Sequence, residues 1–302
     1  MPRLTARELA AVHRLEFPFW VNTVCQALWG ACFAVAAPTE LVAWPVLLAV
    51  VANIVLMEAG LVLNAVADLD SDARHPERGR LANAVLKLGG RDGLRLVTAE
   101  FVLGGSLAVA VSVWTGHWLV ALAAAGTVAA HVLYNVEPMR WKSRGLPGAA
   151  VFACGVIALP FVTAHAAVRA DLPPEAVLTF GGLTLLATGR VVWWSVPDRE
   201  ADAAAGQRTT SVRHGAVRAL ALTCLLLCAG VFALSWGLWW YGGPVAALVG
   251  AGGHVVFTGT VVALLRRVRV RRPTSSTRLR TTVMPVVLAA DVLLVGVGLA
   301  TG

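Results

Sequence analysis

The 302-residue chain is 58% apolar and only 14% charged, with a formal charge of +8 and a mean hydropathy of +0.73. One soluble domain of this length cannot hide that much apolar surface, so lipid must act as its solvent. The positive charge has no soluble basic domain to carry it. That argues against a nucleic-acid partner and for membrane topology and anionic ligands.

Apolar runs long enough to span a bilayer recur along the whole chain. They predict an all-α integral membrane protein with about nine transmembrane helices, near 18–37, 41–66, 97–115, 117–135, 147–167, 176–197, 216–236, 240–265 and 282–301. No Ser- or Gly-rich linker interrupts them, so residues 1–302 read as a single membrane domain. The first run is full length and follows a polar, amphipathic stretch, so a cleaved signal peptide is not expected. Of the 25 Lys and Arg residues, 23 lie in the N-terminal segment or in segments 68–96, 136–146, 198–218 and 266–280. This alternation places the N-terminus and the long loops on the cytoplasmic side of a multi-pass protein of the cytoplasmic membrane.

In chain order, the first polar feature is the ladder Arg14, Pro18, Asn22 and Gln26, read as one face of the first helix. Asn22 and Gln26 either face a cavity or serve as interhelical glue. The second span ends in "NAVADLDSD", where Asn64, Asp68 and Asp72 follow at four-residue intervals. On a helix this spacing stacks the three side chains in one stripe, with Asp70 pointing away into solvent. Stacked carboxylates repel, and the negative end of the helix dipole makes their position worse. A bound divalent cation relieves both costs, and carboxylate and amide oxygens are the ligands that Mg²⁺ prefers. Arg74, Arg78 and Arg80 follow directly, and the loop "YNVEPMRWKSR" adds Tyr134, Arg140 and Lys142.

The sixth span carries an intramembrane arginine, Arg190, which either serves the site or pairs with an acid such as Glu58. It ends in Trp193, Trp194 and a second acidic run, "VPDREADAAAGQRTTSVRHG", in which Asp198 and Asp202 repeat the four-residue step before Arg208 and Arg213. Four spans separate the two acidic runs, which suggests a pseudo-repeat. Six of the 17 acidic residues fall in these two runs. Metal-binding carboxylates beside guanidinium groups that match phosphate geometry describe a diphosphate site. His131, His165 and His254 read as packing residues, and Asp291 in the last span has no assigned role.

These residues resemble a known family. Asn64-xxx-Asp68-xxx-Asp72 is similar to the first NxxxDxxxD motif of the UbiA superfamily of intramembrane prenyltransferases. "DREADAAAGQRTT" resembles its second acidic motif, and "YNVEPMRWKSR" its Tyr-x-x-x-Pro-x-Arg-x-Lys loop. "FWVNT" and "SDARHPERG" are closer to the branch that acts on carotenoids, such as lycopene elongases. The chain departs from the common pattern in "NA" at the first motif and in "RLANA" after it, which leaves open whether Arg78 or Arg80 is the matching arginine.

The resemblance implies a helical bundle around a central cavity that opens sideways to lipid. It also implies a transferase that moves a prenyl group from a polyprenyl diphosphate to a lipophilic acceptor. Asn64, Asp68, Asp72, Asp198 and Asp202 would hold Mg²⁺. Arg78 or Arg80, Tyr134, Arg140 and Lys142, with Arg190 and Arg208, would hold the diphosphate, and Asn22 and Trp194 would line the substrate cavity. Two other readings share the residues: a terpene cyclase ionising the same diphosphate, and a membrane transporter, which needs charges deeper in the spans than these. The bilayer itself is the surrounding partner, and no obligate protein partner is inferred.

Overall fold

The computed structural model describes residues 4–15, 19–73, 78–269 and 283–301, which form helices and turns with no strand among them. The helices are α1 (Ala6–Val12), α2 (Phe19–Cys32), α3 (Trp44–Ala67), α4 (Leu69–Asp72), α5 (Gly79–Leu88), α6 (Gly90–Thr115) and α7 (Leu119–Asn135). They continue with α8 (Leu146–Ala153), α9 (Leu159–Ala166), α10 (Pro174–Trp194), α11 (Arg199–Ala204), α12 (Thr210–Arg269) and α13 (Met284–Thr301). Among the described residues six helices are long and apolar enough to cross a membrane, counting α8 and α9 as one. About nine spans were expected, a count that the described residues do not reach, and three local features bear on it.

The backbone leaves helical geometry at Gly242 and Gly243, so α12 is two helices merged across a kink. Gly243 has φ 71°, a left-handed conformation open to glycine, and Pro244 brings no N–H to continue the first helix. The second feature is α7, which has 17 residues and falls just short of a full span. The third is α2, whose 14 described residues begin only at Phe19.

Burial separates the inner helices from the outer ones. The apolar window of α3 is 61% buried, whereas that of α6 is 28% buried and turns most of its surface to lipid. Asn53, fully buried in α3, donates from Nδ2 to the Ala27 carbonyl at 3.3 Å and to the Pro160 carbonyl at 2.8 Å. One amide thereby fastens α3 to α2 and α9, as polar side chains do where lipid offers no alternative partner. Between α8 and α9 the backbone widens into a π-helical turn, Cys154–Ala158, just before Pro160. That turn accommodates a proline that cannot donate to the preceding turn.

At the end carrying the acidic runs, short helices form a platform. Val85 and Leu88 of α5 pack with Val12 of α1 and with Val62 and Leu63 of α3. Glu8 pairs with Lys87 at 2.9 Å, and His13 with Glu100 at 2.7 Å, tying α1 to α5 and α6. This platform holds the ends of α3 and α4 beside the end of α10 and α11, where the site lies.

Candidate active site

Both acidic runs open onto one cavity of about 310 Å³. Asn64 stands in the last turn of α3 and Asp68 caps it. Asn64 donates from Nδ2 to Asp68 Oδ2 and to Asn135 Oδ1, both at 2.9 Å, and its Oδ1 accepts from Arg14 Nη2 at 3.1 Å. The Asp68 carboxylate is buried in direct contact with Lys142 Nζ, 3.5 Å from Arg140 Nη2, and accepts from Gln207 Nε2 at 3.3 Å. Asp72 is only 1% exposed and accepts from Arg78 Nη1 at 2.7 Å, while its Oδ2 has no hydrogen-bond partner among the described residues.

Across the cavity mouth, Asp198 meets the other arm of the same guanidinium, Arg78 Nη2. Asp202 accepts from the Thr209 hydroxyl at 3.1 Å. Arg78 therefore bridges the first acidic run to the second, reaching Asp198 across 120 residues of sequence. Burial works against its charge, but Asp198 and Asp72 outweigh that and hold its pKa up. For Lys142 burial wins over Asp68, and its pKa falls. Burial, with the charge of Asp198 added, pushes Asp202 up to about 6. The mouth is thus crowded on the acidic side as well as the basic one.

Not every candidate sits at the mouth. Arg78, Tyr134, Lys142, Arg190, Asn22 and Trp194 line the cavity. Arg140 does not line it but reaches Asp68, whereas Arg80 and Arg208 are exposed and outside the lining. Asp70 is exposed as well. Arg74 and Pro18 lie outside the described residues. Arg190 pairs with Asp291 of α13 at 3.5 Å, and not with Glu58. The ladder that begins at Arg14 is not continuous: α1 ends at Val12, and Arg14 stands beyond it in a left-handed turn with φ 51°.

That turn delivers a residue absent from the sequence-derived site. Arg14 lines the cavity and binds Asn64, and burial together with the charge of Arg78 lowers its pKa. Arg14 and Arg140 are the two non-glycine residues with positive φ among those described, and both carry charge to the mouth. Strained backbone at such positions accompanies functional sites. Gln207 and Asn135, also missed, adjoin motif residues in "GQRTT" and "YN"; that adjacency was the one available signal.

Among the described residues no three carboxylate, histidine or cysteine groups converge as a ready metal cage. Arg78 and Lys142 lie against the acids instead. The donor set nevertheless fits a hard divalent cation. It offers oxygen ligands only, a buried Asp72 oxygen without a partner, and an Asp202 carboxyl whose charge is disfavoured for want of a compensating one.

Below the mouth the lining is mostly apolar, with Phe19, Met57, Leu61, Phe152, Val156 and Trp194, and Asn22, Gln26 and Arg190 are set among them. A charged mouth over a mostly apolar chamber within a membrane bundle is the arrangement that an intramembrane prenyltransferase requires. The chain belongs to the UbiA prenyltransferase family, whose sequence model matches residues 23–284. A lycopene elongase/hydratase of Halobacterium salinarum is 30% identical over 221 residues, covering 72% of this chain and 74% of the relative. In fold, the chain is similar to a UbiA homologue from Archaeoglobus fulgidus solved with GPP and Mg²⁺. That match has a TM-score of 0.72 at 17% identity and covers 97% of this chain and 99% of the other. A UbiA homologue from Aeropyrum pernix K1 matches with a TM-score of 0.69 at 18% identity, covering 94% and 98%.

Proposed function

We propose that the protein transfers a prenyl group from a prenyl diphosphate, with Mg²⁺, to a long apolar polyene acceptor drawn from the bilayer. The observation that carries this reading is the Arg78 bridge between Asp72 and Asp198, which makes one anion-handling mouth out of two distant acidic runs. The neighbour solved with GPP and Mg²⁺ supports the donor and the metal, and the relative named lycopene elongase/hydratase supports a carotenoid-like acceptor.

In this reading Asp68, Asp72 and Asn64 on one side and Asp198 and Asp202 on the other hold the metal. When bound, Mg²⁺ supplies positive charge to a diphosphate that gains negative charge as it leaves. Arg78, Lys142 and Arg14, with the Tyr134 hydroxyl, surround the same mouth and hold the diphosphate oxygens by charge-assisted hydrogen bonds. The mostly apolar wall below keeps bulk water from the allylic cation, and Trp193 and Trp194, whose ring centroids lie 5.3 Å apart, offer it an aromatic face. The basic loops around the mouth support a site that faces the cytoplasm.

The test is turnover of a radiolabelled prenyl diphosphate series by detergent-purified protein, with Mg²⁺ or EDTA, in a membrane-lipid extract. Donor loss that needs Mg²⁺ and disappears in both Asp68→Ala and Asp198→Ala is expected. Donor left intact by the unsubstituted protein, with every chain length and the extract present, would sink the reading.

A further inference from the structure

The cavity has a second polar level that diphosphate chemistry does not explain. Asn22 and Gln26 of α2 and Arg190 of α10 all line it, below the acids. Gln26 lies about two turns into α2 and Asp291 about two turns into α13, roughly 10 Å inside those helix ends, while Arg190 lies about one turn inside the end of α10 and about two turns before Asp198. Its hydrogen-bonding capacity is largely unused. Among the described residues the Arg190 guanidinium makes one hydrogen bond, Nη1 to Asp291 Oδ2, at the outer limit of 3.5 Å. Asp291 is fully buried and its Oδ1 has no partner. Asn22 Oδ1 has none either, and the buried Gln26 side chain makes no hydrogen bond among the described residues.

Asp291 is anchored through its backbone. Trp29 donates from its indole N–H to the Asp291 backbone carbonyl at 3.1 Å, locking α13 against α2. With Asp291 behind it, Arg190 presents hydrogen-bond donors without a net positive charge. That allows a carbocation to form nearby without strong repulsion. A purely apolar ligand would leave Asn22, Gln26 and Arg190 unsatisfied in a dry wall, which is costly.

We propose that this level is an oxygen-binding subsite: Arg190, oriented by Asp291 and flanked by Asn22 and Gln26, binds a hydroxyl oxygen that accompanies prenyl transfer, supplied by water or by the acceptor. Where the oxygen is water's, the prenyl carbon–diphosphate bond breaks, the prenyl carbon bonds to one carbon of a polyene double bond, the cation left on the other carbon takes the water oxygen, and the water proton leaves with the released diphosphate. The inference rests on the prenyl-transfer reading for its setting, and its test separates the two. The decisive variant is Arg190→Met combined with Asp291→Leu, because replacing both members of a buried ion pair with apolar side chains preserves folding far better than breaking it.

Two measurements on the full-length protein in nanodiscs read the subsite. Tryptophan fluorescence gives the affinities of matched polyenes with and without a terminal hydroxyl, and needs no turnover. Mass spectrometry after reaction in H₂¹⁸O, with a hydrocarbon polyene and a prenyl diphosphate, gives the fraction of prenylated product that carries ¹⁸O. The double variant is expected to lose at least tenfold of the hydroxyl preference if the oxygen belongs to the acceptor. It is expected to lose at least tenfold of the ¹⁸O fraction if the oxygen is water. A folded double variant in which neither quantity moves by more than twofold overturns the proposal and leaves the pair a structural one. If the double variant fails to fold, Arg190→Lys, which keeps the charge opposite Asp291 but not the planar fork, is read by the same two quantities. An unsubstituted protein that consumes no donor would overturn the transfer reading, while the fluorescence ratio would still decide the subsite.

Discussion

Arg78 is the residue on which the site's connectivity depends. Its two arms reach Asp72 and Asp198, one from each acidic run. Lysine keeps the charge but has one donor centre and cannot bridge both acids. Arg78→Lys is therefore expected to lower kcat/KM by about 10-fold, and Arg78→Ala by about 10²–10³-fold, the range seen when one preorganised donor to a developing anion is removed. Alanine also leaves Asp72 buried without a cation, a cost of about 3–5 kcal/mol for breaking such a pair. A thermal unfolding midpoint that falls for Arg78→Ala and recovers when Asp72→Asn is added would confirm that reasoning; no recovery would refute it. Arg14 acts differently, through Asn64 and the mouth. Arg14→Gln is expected to raise KM for the prenyl diphosphate about 10-fold, as loss of one charge-assisted hydrogen bond does, with a smaller effect on kcat. Equal losses in kcat and kcat/KM would instead assign Arg14 to the transition state.

At the scale of elements, helix periodicity made the acidic runs legible, because side chains four residues apart must share a face wherever the helix goes. The break in α12 was legible for a similar reason, since Gly242, Gly243 and Pro244 state it locally. What lay hidden were contacts between distant segments. Arg190 meets Asp291 across 101 residues, and Arg14 meets Asn64 through a turn that no periodicity marks. Small residues decide how close the helices come. A Cβ on Gly30 would stand 1.9 Å from the Phe161 carbonyl oxygen, a backbone atom that cannot step aside, so α2 and α9 would have to separate. Gly30→Ala is expected to cost about 1–3 kcal/mol, read as a lower unfolding midpoint in detergent. The docking of α1 should depend on pH. Burial works against the charge of His13, yet the hydrogen bonds to Glu100 and to the Leu9 carbonyl, with the charges of Glu100 and Glu58, together outweigh it, and the pKa is raised above 6.5. A raised folded-state value means that the His13 contribution is complete below 6.5 and is lost as pH rises through the folded value. Hydrogen exchange in α1, corrected for its intrinsic pH dependence, should therefore quicken as pH rises through that range, and His13→Gln should abolish the change.

At the scale of the whole molecule, the site must face the compartment that supplies its charged substrate. A diphosphate cannot cross the hydrocarbon core unaided, because buried charge there is costly, whereas a lipophilic acceptor arrives within the bilayer. The chain's charge distribution answers the same requirement. Basic residues crowd the loops at the acidic end, while Arg169, after α9, stands at the other end. Positive loops stay on the cytoplasmic side, so the end with Arg78 and Lys142 should be cytoplasmic. Two exposed positions report on this directly: Arg208, beside the second acidic run, and Arg169. With the five native cysteines replaced, Arg169→Cys should react with a membrane-impermeant maleimide in intact cells, and Arg208→Cys only after permeabilisation. The reverse pattern would place the acids on the far side, and with it the diphosphate would have to be made or delivered outside. Labelling of both positions in intact cells would mean that the chain inserts in two orientations, and that its 23 basic residues in the five loop and terminal segments do not set topology as their distribution implies.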